Sequence, residues 1–459
     1  MPNEAPESAL LPRARCQAIF DQVLHASRAL GIADAEAILA TGSSALTRFA
    51  NNAIHQNVAE RSGYLAVRVQ IDGRTARATT NRLDDDSIRQ VVEEAVALTK
   101  LQEPDPSLLP LTEPAPAPPA QHVARWHDAT ARVTPADRAQ AVAEAIRLVE
   151  AAGQTAAGIY STSEAVLALL NSRGVFAYYP ETMAHFSITA MAADSSGWAK
   201  GSACSHHDLD PAAMARAAVG KAHASREPLG LPPGAYTVIL EPAAVLDLAG
   251  QMFGDFSATA ITDGRSFLRD RIGEKLFGEN VTIYDDAYHP LQAGAPFDGE
   301  GVPRRKLALV DQGVVRDVPF CRQAAHAAGV QPTGHGFPLP NEFGEAPMNI
   351  VIAGGDTSLE AMIASTARGI LVTRLWYIRE VDPYEKIITG MTRDGTFLIE
   401  DGRIARGVRN FRFNQALPEL LSNVEALSPA VRASGEEAFD MVVPAMKVRN
   451  FHFTEVTRF

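Results

Sequence analysis

Twelve histidines and three cysteines are the side chains from which this chain could build a metal or nucleophilic centre. Their spacing offers little. A zinc-protease helix needs imidazoles at i and i+4 or i+5 on one face, with a glutamate base beside them. His122 and His127, in HVARWH, are five apart, but no glutamate follows His122. The pair flanks a proline-rich run and reads as ordinary surface. Cys204, His206, His207, Asp208 and Asp210 crowd into ACSHHDLD. They can meet on a metal only if the chain folds back, because adjacent residues of an extended chain point to opposite faces. The cluster reads as a polar loop before a helix. Asp255, Asp263 and Asp270 can do acid–base work only as a pair about 5–10 Å apart in a cleft; they read as solvated loop acids. The Thr333-Gly334-His335-Gly336 turn lets a ligand backbone come close, since glycine has no Cβ. On the strand that follows later, alternation puts Arg374 and Trp376 on one face, and Tyr377 and Arg379 on the other. Either pair can line a groove for a peptide or simply pack with a salt bridge. The candidate substrate-groove residues are therefore Thr333, Gly334, His335, Arg374 and Tyr377. No residue is assigned a catalytic or metal-ligating role, and no GxSxG, P-loop or GxGxxG is present.

The elements that would carry such groups follow from periodicity and caps. YTVIL (Tyr236 to Leu240) is β-rich and reads as a strand. Pro242 suits the first turn of a helix. Val245, Leu248, Ala249, Met252 and Phe253 then recur at helical spacing, with Gly254 as the stop. This strand and helix would be the scaffold for paired zinc-binding histidines, yet the helix contains none. Upstream, Cys16 to Leu30 reads as a helix, and Ala35 to Thr41 and Ala45 to Phe49 as short strands. Tyr64 to Ile71 alternates cleanly, and Asp72-Gly73 marks a hairpin back to Arg74–Thr79. Asp84, Asp85 and Asp86 read as a helix N-terminus rather than a metal site. Thr134-Pro135-Ala136-Asp137 is a capping box. Strands follow at 157–161, 165–170, 175–179 and 183–192, then a helix opened by Asp210-Pro211.

PDPSLLPLTEPAPAPP (104–119) is a stiff connector or a strap along the surface. REPLGLPPG marks the main boundary, giving domains 1–230 and 231–459. The second half reads as strands separated by Gln312-Gly313, Asp394-Gly395 and Asp401-Gly402 turns, with helices capped at Asp356 and over Leu417–Leu427. The predicted class is α+β in two domains. The N-terminal one is an α/β sandwich-like domain with an antiparallel sheet; the C-terminal one is mostly antiparallel β with a few helices.

Composition restricts the function. The net charge is −12, from 42 basic and 54 acidic residues. With no basic run along a helix, nucleic-acid binding is not expected, because phosphate neutralisation needs clustered positive charge. Three dispersed cysteines without CxxC fit a reducing, cytoplasmic location. No apolar run approaches the roughly 20 residues of a membrane span, and no signal-peptide core is expected at the N-terminus.

Several stretches, taken in order, resemble the TldD/PmbA (TldE) family. They are YLAVRVQIDGRTARATTNRLDDDSIRQVVEEAV, PPGAYTVILEP, SFLRDRIGEKL, the Thr333-Gly334 turn, AGGDTSLEAMIASTARGILVTRL and TRDGTFLIEDGRIARGVRNFRFN. The resemblance implies a family whose catalytic member, TldD, is a zinc metallopeptidase with an HExxxH helix after the PPG-strand boundary and a cysteine ligand near the C-terminus. The corresponding window here is GQMFGD (Gly250 to Asp255), and no cysteine follows Cys321. Both departures are similar to the PmbA/TldE branch, which lacks the zinc ligands. In that family the two subunit types form a dimer enclosing a chamber that acts on unfolded or small peptides.

Three readings follow. The first is a non-catalytic PmbA/TldE-like subunit, with no cofactor of its own and zinc held by a TldD-like partner. The second is a hydrolase with ligands elsewhere, such as His206, His207 or His335. The third is a peptide-binding or scaffolding homodimer.

Overall fold

The computed structural model describes residues 10–115 and 124–457. His122 and the prolines at 116, 118 and 119 lie outside them. The first sheet is built from six antiparallel strands: β1 (Asp34–Ala50), β2 (Ala53–Ile71), β3 (Arg74–Thr80), β4 (Thr155–Asn171), β5 (Phe176–Met191) and β6 (Ser196–Ala203). Their order is β3-β2-β1-β4-β5-β6. Several expected short strands are single long ones. The small residues Gly42, Ser43 and Ser44 do not interrupt β1, because close packing requires them; a Cβ at Gly42 would stand 2.5 Å from the Glu164 carbonyl oxygen. The first ten residues of β2 carry no alternation signal, because this part of the strand is exposed on both faces.

Helices cover one face of this sheet. α1 (Arg13–Ala29) and α2 (Asp85–Lys100) bury Ile19, Val23, Val91 and Val92 against Leu39, Val67 and Ala168. After the short α3 (Asp128–Ala131), α4 (Pro135–Ala151) and α5 (Pro211–Ala224) bury Val142, Val149 and Ala218 against Phe49, Tyr160 and Phe186. The caps form as their sequences dictate. Asp84 accepts the Ser87 N–H, and Thr134 and Asp137 make a reciprocal capping box. Residues 104–115 of the proline run act as a strap. The Gln70 amide donates to the Leu109 carbonyl, the Asn171 amide donates to the Thr112 carbonyl, and Leu111 is buried.

The second half contributes two further sheets. In one, β8 (Ile283–Asp285), β9 (Leu307–Asp311), β10 (Val314–Val315), β11 (Ile350–Ile352), β17 (Val431–Ala433) and β18 (Met441–Val443) run in the order β10-β9-β8-β11-β18-β17. In the other, β7 (Gly234–Leu240), β12 (Arg368–Asp382), β13 (Ile387–Glu400), β15 (Phe411–Ala416) and β19 (Met446–Val456) pair around a closed circuit. β14 (Arg403–Gly407) and β16 (Val424–Leu427) are attached to it. One large core, including Val238, Leu248, Phe253, Ile350, Phe411 and Phe451, joins both sheets to α6 (Pro242–Ala249). Two short helices, α7 (Ala258–Thr262) and α8 (Arg322–Ala328), sit in the connections beyond it. The α+β class and the largely antiparallel pairing expected from the sequence are both present. Three local expectations are corrected. Asp394-Gly395 is not a turn but a positive-φ irregularity inside β13. α9 (Leu359–Ala364) is capped by Ser358, not Asp356. The Leu417–Leu427 stretch divides into α10 (Leu417–Ser422) and β16.

The other face of the first sheet meets the second half of the chain. Glu36, Arg68 and Arg77 stand opposite one another on β1, β2 and β3. Arg68 and Arg77 both reach Glu36 at 2.9 Å, and Arg77 also donates to the Leu339 carbonyl at 2.8 Å. Burial opposes the Glu36 charge, but the two guanidiniums prevail and hold its carboxyl below the usual range. Removing the one anion strands two buried cations. Glu36→Gln is therefore expected to cost roughly 3–5 kcal/mol, seen as a lowered urea midpoint at unchanged slope.

Candidate functional site

β7 leads through Glu241 into α6, with Pro242 in the first turn where no N–H is needed. Glu241 does not cap the helix. Its carboxylate is held by Lys221 of α5 at 2.6 Å and by the Thr373 hydroxyl at 3.2 Å. Past Ala249 the helix tightens into a 3-10 turn, Gly250–Asp255. Residues 244–249 are all buried, Asp247 among them. Asp247 Oδ1 accepts the backbone N–H groups of Glu436 (3.1 Å), Glu437 (2.9 Å) and Ala438 (3.2 Å). Burial pushes this carboxyl up to about 6, against the pull of those three donors.

The loop that Asp247 grips is held from two other sides. From β6, Lys200 Nζ donates to the Gly435 carbonyl at 2.5 Å, and Ser202 bonds Asp440 at 2.5 Å. From β12, the Tyr377 N–H donates to Glu437 at 2.6 Å, and Arg379 lies 3.4 Å from the same carboxylate. Glycine is required where the loop meets the helix. A Cβ on Gly435 would collide with the Asp247 carboxylate, and one on Gly250 would collide with Ala438.

Zinc, which the resemblance implies for the catalytic branch, does not fit these residues. Met252 and Phe253 of the 3-10 turn are in the core. The carboxylates on this stretch are Asp247, engaged by three N–H groups, and Asp255. Asp255 is not the solvated loop acid expected from the sequence. It is buried, paired with Lys386 at 2.5 Å, and accepts the Phe267 N–H at 3.2 Å. Asp255 closes the 3-10 turn, and Lys386, distant in sequence, supplies the charge that compensates its burial. Asp263, by contrast, pairs with Arg265 at the surface, and Asp270 is exposed. Residues 242–255 contain no imidazole or thiolate, so the helix and its turn offer no ligand set for the metal.

The other residues singled out by sequence are placed as follows. The His206 and His207 rings lie 3.9 Å apart, the His206 N–H donates to the Thr130 hydroxyl, and Asp210 caps α5. Among the described residues, no group of three or more His, Cys, Asp or Glu can hold a metal ion. Thr333 and His335 are buried. His335 Nδ1 meets the Thr333 hydroxyl at 2.9 Å, and Nε2 lies 3.1 Å from Asp285 Oδ1. Gly334 does permit a close backbone approach, but the chain's own Pro303–Arg304 segment makes it. Arg374 is buried, paired with Asp394 and set over the Trp198 and Trp376 rings at 5.1 and 5.5 Å. Tyr377 is half exposed beneath Arg379, at a strand irregularity where its own φ is +57°.

Asp247 is the buried acid that sequence reasoning passed over. The available signal was a lone acid inside the apolar run AAVLDLAG, a position that must be compensated wherever it is buried. Because its folded carboxyl titrates higher than the unfolded one, Asp247 contributes stability below about pH 4 that is lost as pH rises through about 6. Relative to Asp247→Asn, which keeps an acceptor oxygen, the wild type is expected to lose on the order of 3 kcal/mol across that window in urea unfolding.

Comparison with known proteins adds to this geometry. Three consecutive domain descriptions match: PmbA/TldA metallopeptidase domain 1 over residues 35–99, the central domain over 127–226, and the C-terminal domain over 233–455. A metalloprotease of Methanothermobacter thermautotrophicus is 26% identical over 293 residues, which is 60% of this chain and 62% of that protein, just under two thirds of the relative's length. Metalloprotease PmbA of Escherichia coli O157:H7 is 24% identical over 423 residues, 89% of this chain and 90% of that one. Among solved structures, TldE from Thermococcus kodakarensis superposes with a TM-score of 0.86 at 21% identity, covering 95% of this chain and all of that one, 100%. A Thermotoga maritima protein described as a candidate modulator of a DNA gyrase gives 0.86 at 20%, covering 96% and 100%. At such identity the superpositions speak to the fold alone. With the domain matches running in order along both halves, the chain belongs to the PmbA/TldD metallopeptidase family.

Proposed function

We propose that this chain is a non-catalytic, PmbA/TldE-like subunit of a cytoplasmic TldD-type metallopeptidase complex that processes unfolded peptides. The observation that carries the reading is the use made of α6 and its 3-10 turn. Where a zinc helix would present imidazoles to a cleft, this one presents Met252 and Phe253 to the core and uses Asp247 to anchor the Ser434–Ala438 loop. A zinc site needs three protein ligands and an open position for water, and these side chains are committed elsewhere. The role left to the chain is to bind and position: it would complete an enclosure whose metal belongs to a TldD-like partner. The three cysteines, free in the structure, agree with a reducing compartment. Among the described residues, no helix is long and apolar enough to cross a membrane.

Purified alone, the full chain is expected to carry sub-stoichiometric zinc by native mass spectrometry and to leave an unstructured peptide uncut. Adding an HExxxH-bearing relative of similar length from the same genome should restore cleavage, saturating at one chain of each. Stoichiometric zinc together with cleavage by this chain alone would overturn the proposal. The hydrolase alternative makes a separate demand. If His206, His207 or His335 supplied ligands, alanine at those positions would abolish metal binding. The expected result is no change in metal content at any of the three.

A further inference from the structure

We propose that the buried carboxyl of Glu300 is a proton-operated latch. While it holds its proton, the second half stays seated on the first sheet; loss of that proton loosens the seat. The latch is independent of the subunit role proposed above, because it concerns how the two halves of this one chain are held together.

The seat is the segment from Phe297 to Val302. Phe297 packs among Ile38, Ala66, Leu169, Val175 and Tyr179 of the first sheet and its β4–β5 turn. Gly301, at φ +80°, lies so close that a Cβ there would stand 2.9 Å from Leu169 and 3.1 Å from Val175. The strap fastens this segment. The Thr112 hydroxyl donates to the Glu300 carbonyl at 2.5 Å, and the Thr112 carbonyl accepts the Asn171 amide of β4 at 2.8 Å. Arg322, at the start of α8, closes the circuit. Its N–H donates to Glu300 Oε2 at 2.8 Å, and its guanidinium donates to the Pro110 carbonyl at 2.7 Å. Glu300 is thus bonded, through both its carbonyl and its carboxyl, to the groups that fasten the strap.

Two acids share the segment, and almost no water reaches either: Asp298 is 4% exposed and Glu300 3%. Their donors are unequal. Asp298 accepts three N–H groups, from Glu300 (2.9 Å), Val302 (2.9 Å) and Gly336 (2.8 Å). The Glu300 carboxyl accepts one, from Arg322. Donors favour the charged form, so Asp298 carries the charge and Glu300 the proton. The surrounding groups keep that order. Burial pushes the Glu300 carboxyl up to about 8 and the Asp298 charge adds to this, while Arg322 and Arg68 of β2 pull the other way. Arg68 is already engaged with Glu36 at 2.9 Å, and Arg304 acts on Asp298. From α8, Cys321 faces the pair with its thiol pushed up to about 12, and Glu345 lies against that thiol. The strap's own acid, Glu113, is turned to Arg173 at 3.7 Å.

When Glu300 ionises, two anions stand in one nearly dry site, and only water can relieve them. Water reaches them when residues 298–302 lift off Leu169 and Val175, and the Thr112 and Arg322 contacts go with that movement. A carboxyl raised by burial makes the seat firmest at low pH and weakens it as pH rises through about 8. Asp247, titrating at about 6, is already charged over that upper range.

The test is hydrogen exchange by mass spectrometry on the full chain, read as protection factors in peptides covering residues 107–113 and 295–302. The wild type is expected to lose protection there about tenfold between about pH 7 and about pH 9. Glu300→Gln keeps the size of the side chain but cannot ionise, and should hold its protection over the same range. Cys321→Ser removes the neighbouring thiol and should lose protection as the wild type does. A wild type whose protection does not change, a Gln variant that loses as much as the wild type, or a Ser variant that loses none would each overturn the latch. If Glu300→Gln does not fold, the other two profiles decide by the same criteria.

Discussion

The carboxylate of Asp247 accepts three successive N–H groups of the loop that follows Ser434, and the arrangement of the second half depends on that grip. An acid inside an apolar helix is costly unless its oxygens are satisfied. A loop with unpaired N–H groups is costly for the mirror-image reason. Each solves the other's problem. Because Lys200 and Ser202 hold the same segment from the first sheet, and Tyr377 and Arg379 hold it from β12, one buried anion ties together elements nearly 240 residues apart in sequence.

The same device recurs where regular structure is sparse. Between β8 and β11 the chain is mostly irregular, and its N–H groups go to buried acids rather than to ladders. Asp298 collects the N–H groups of Glu300, Val302 and Gly336, and Asp285 those of Met348 and Asn349. Glu345 collects those of Thr259 and Cys321, as well as the Ser257 hydroxyl. Burial next to Asp298 pushes the Glu300 carboxyl up to about 8, so two neighbouring acids need not both be charged at neutral pH. Acids that a motif search would weigh as catalytic candidates are here the acceptors that give long loops one conformation.

The first sheet shows the complementary principle. Its helix-covered face is sealed by two apolar clusters. Its other face meets the second half through Phe297, which packs with Ile38, Ala66, Leu169 and Tyr179, and through polar contacts at its ends. At one end the Glu36–Arg68–Arg77 row meets the Leu339 loop; at the other, Trp198 and Ser202 meet Arg374 and Asp440. Away from these contacts lies a trough of about 500 Å³, with Ala40, Gly42, Ser44 and Ala165 among its lining.

Local chemistry was legible in the residues themselves. The capping acids at Asp84 and Asp137, the Asp72-Gly73 hairpin, the Pro242 helix start and the α+β class all follow from short-range rules acting over a few residues, and the missing histidines of α6 are a fact of composition. Strand continuity through Gly42 and Ser163, the exposed half of β2, the inward turn of Asp255 and the partners of Asp247 were not legible. Each is set by a neighbour more than 100 residues away or by the absence of one, and periodicity carries no record of either. The sequence by itself determined which segments could be helix or strand and which donors were missing. Only the tertiary structure decided which acids are buried and what each one holds, because the cost of burying a charge is fixed by what surrounds it.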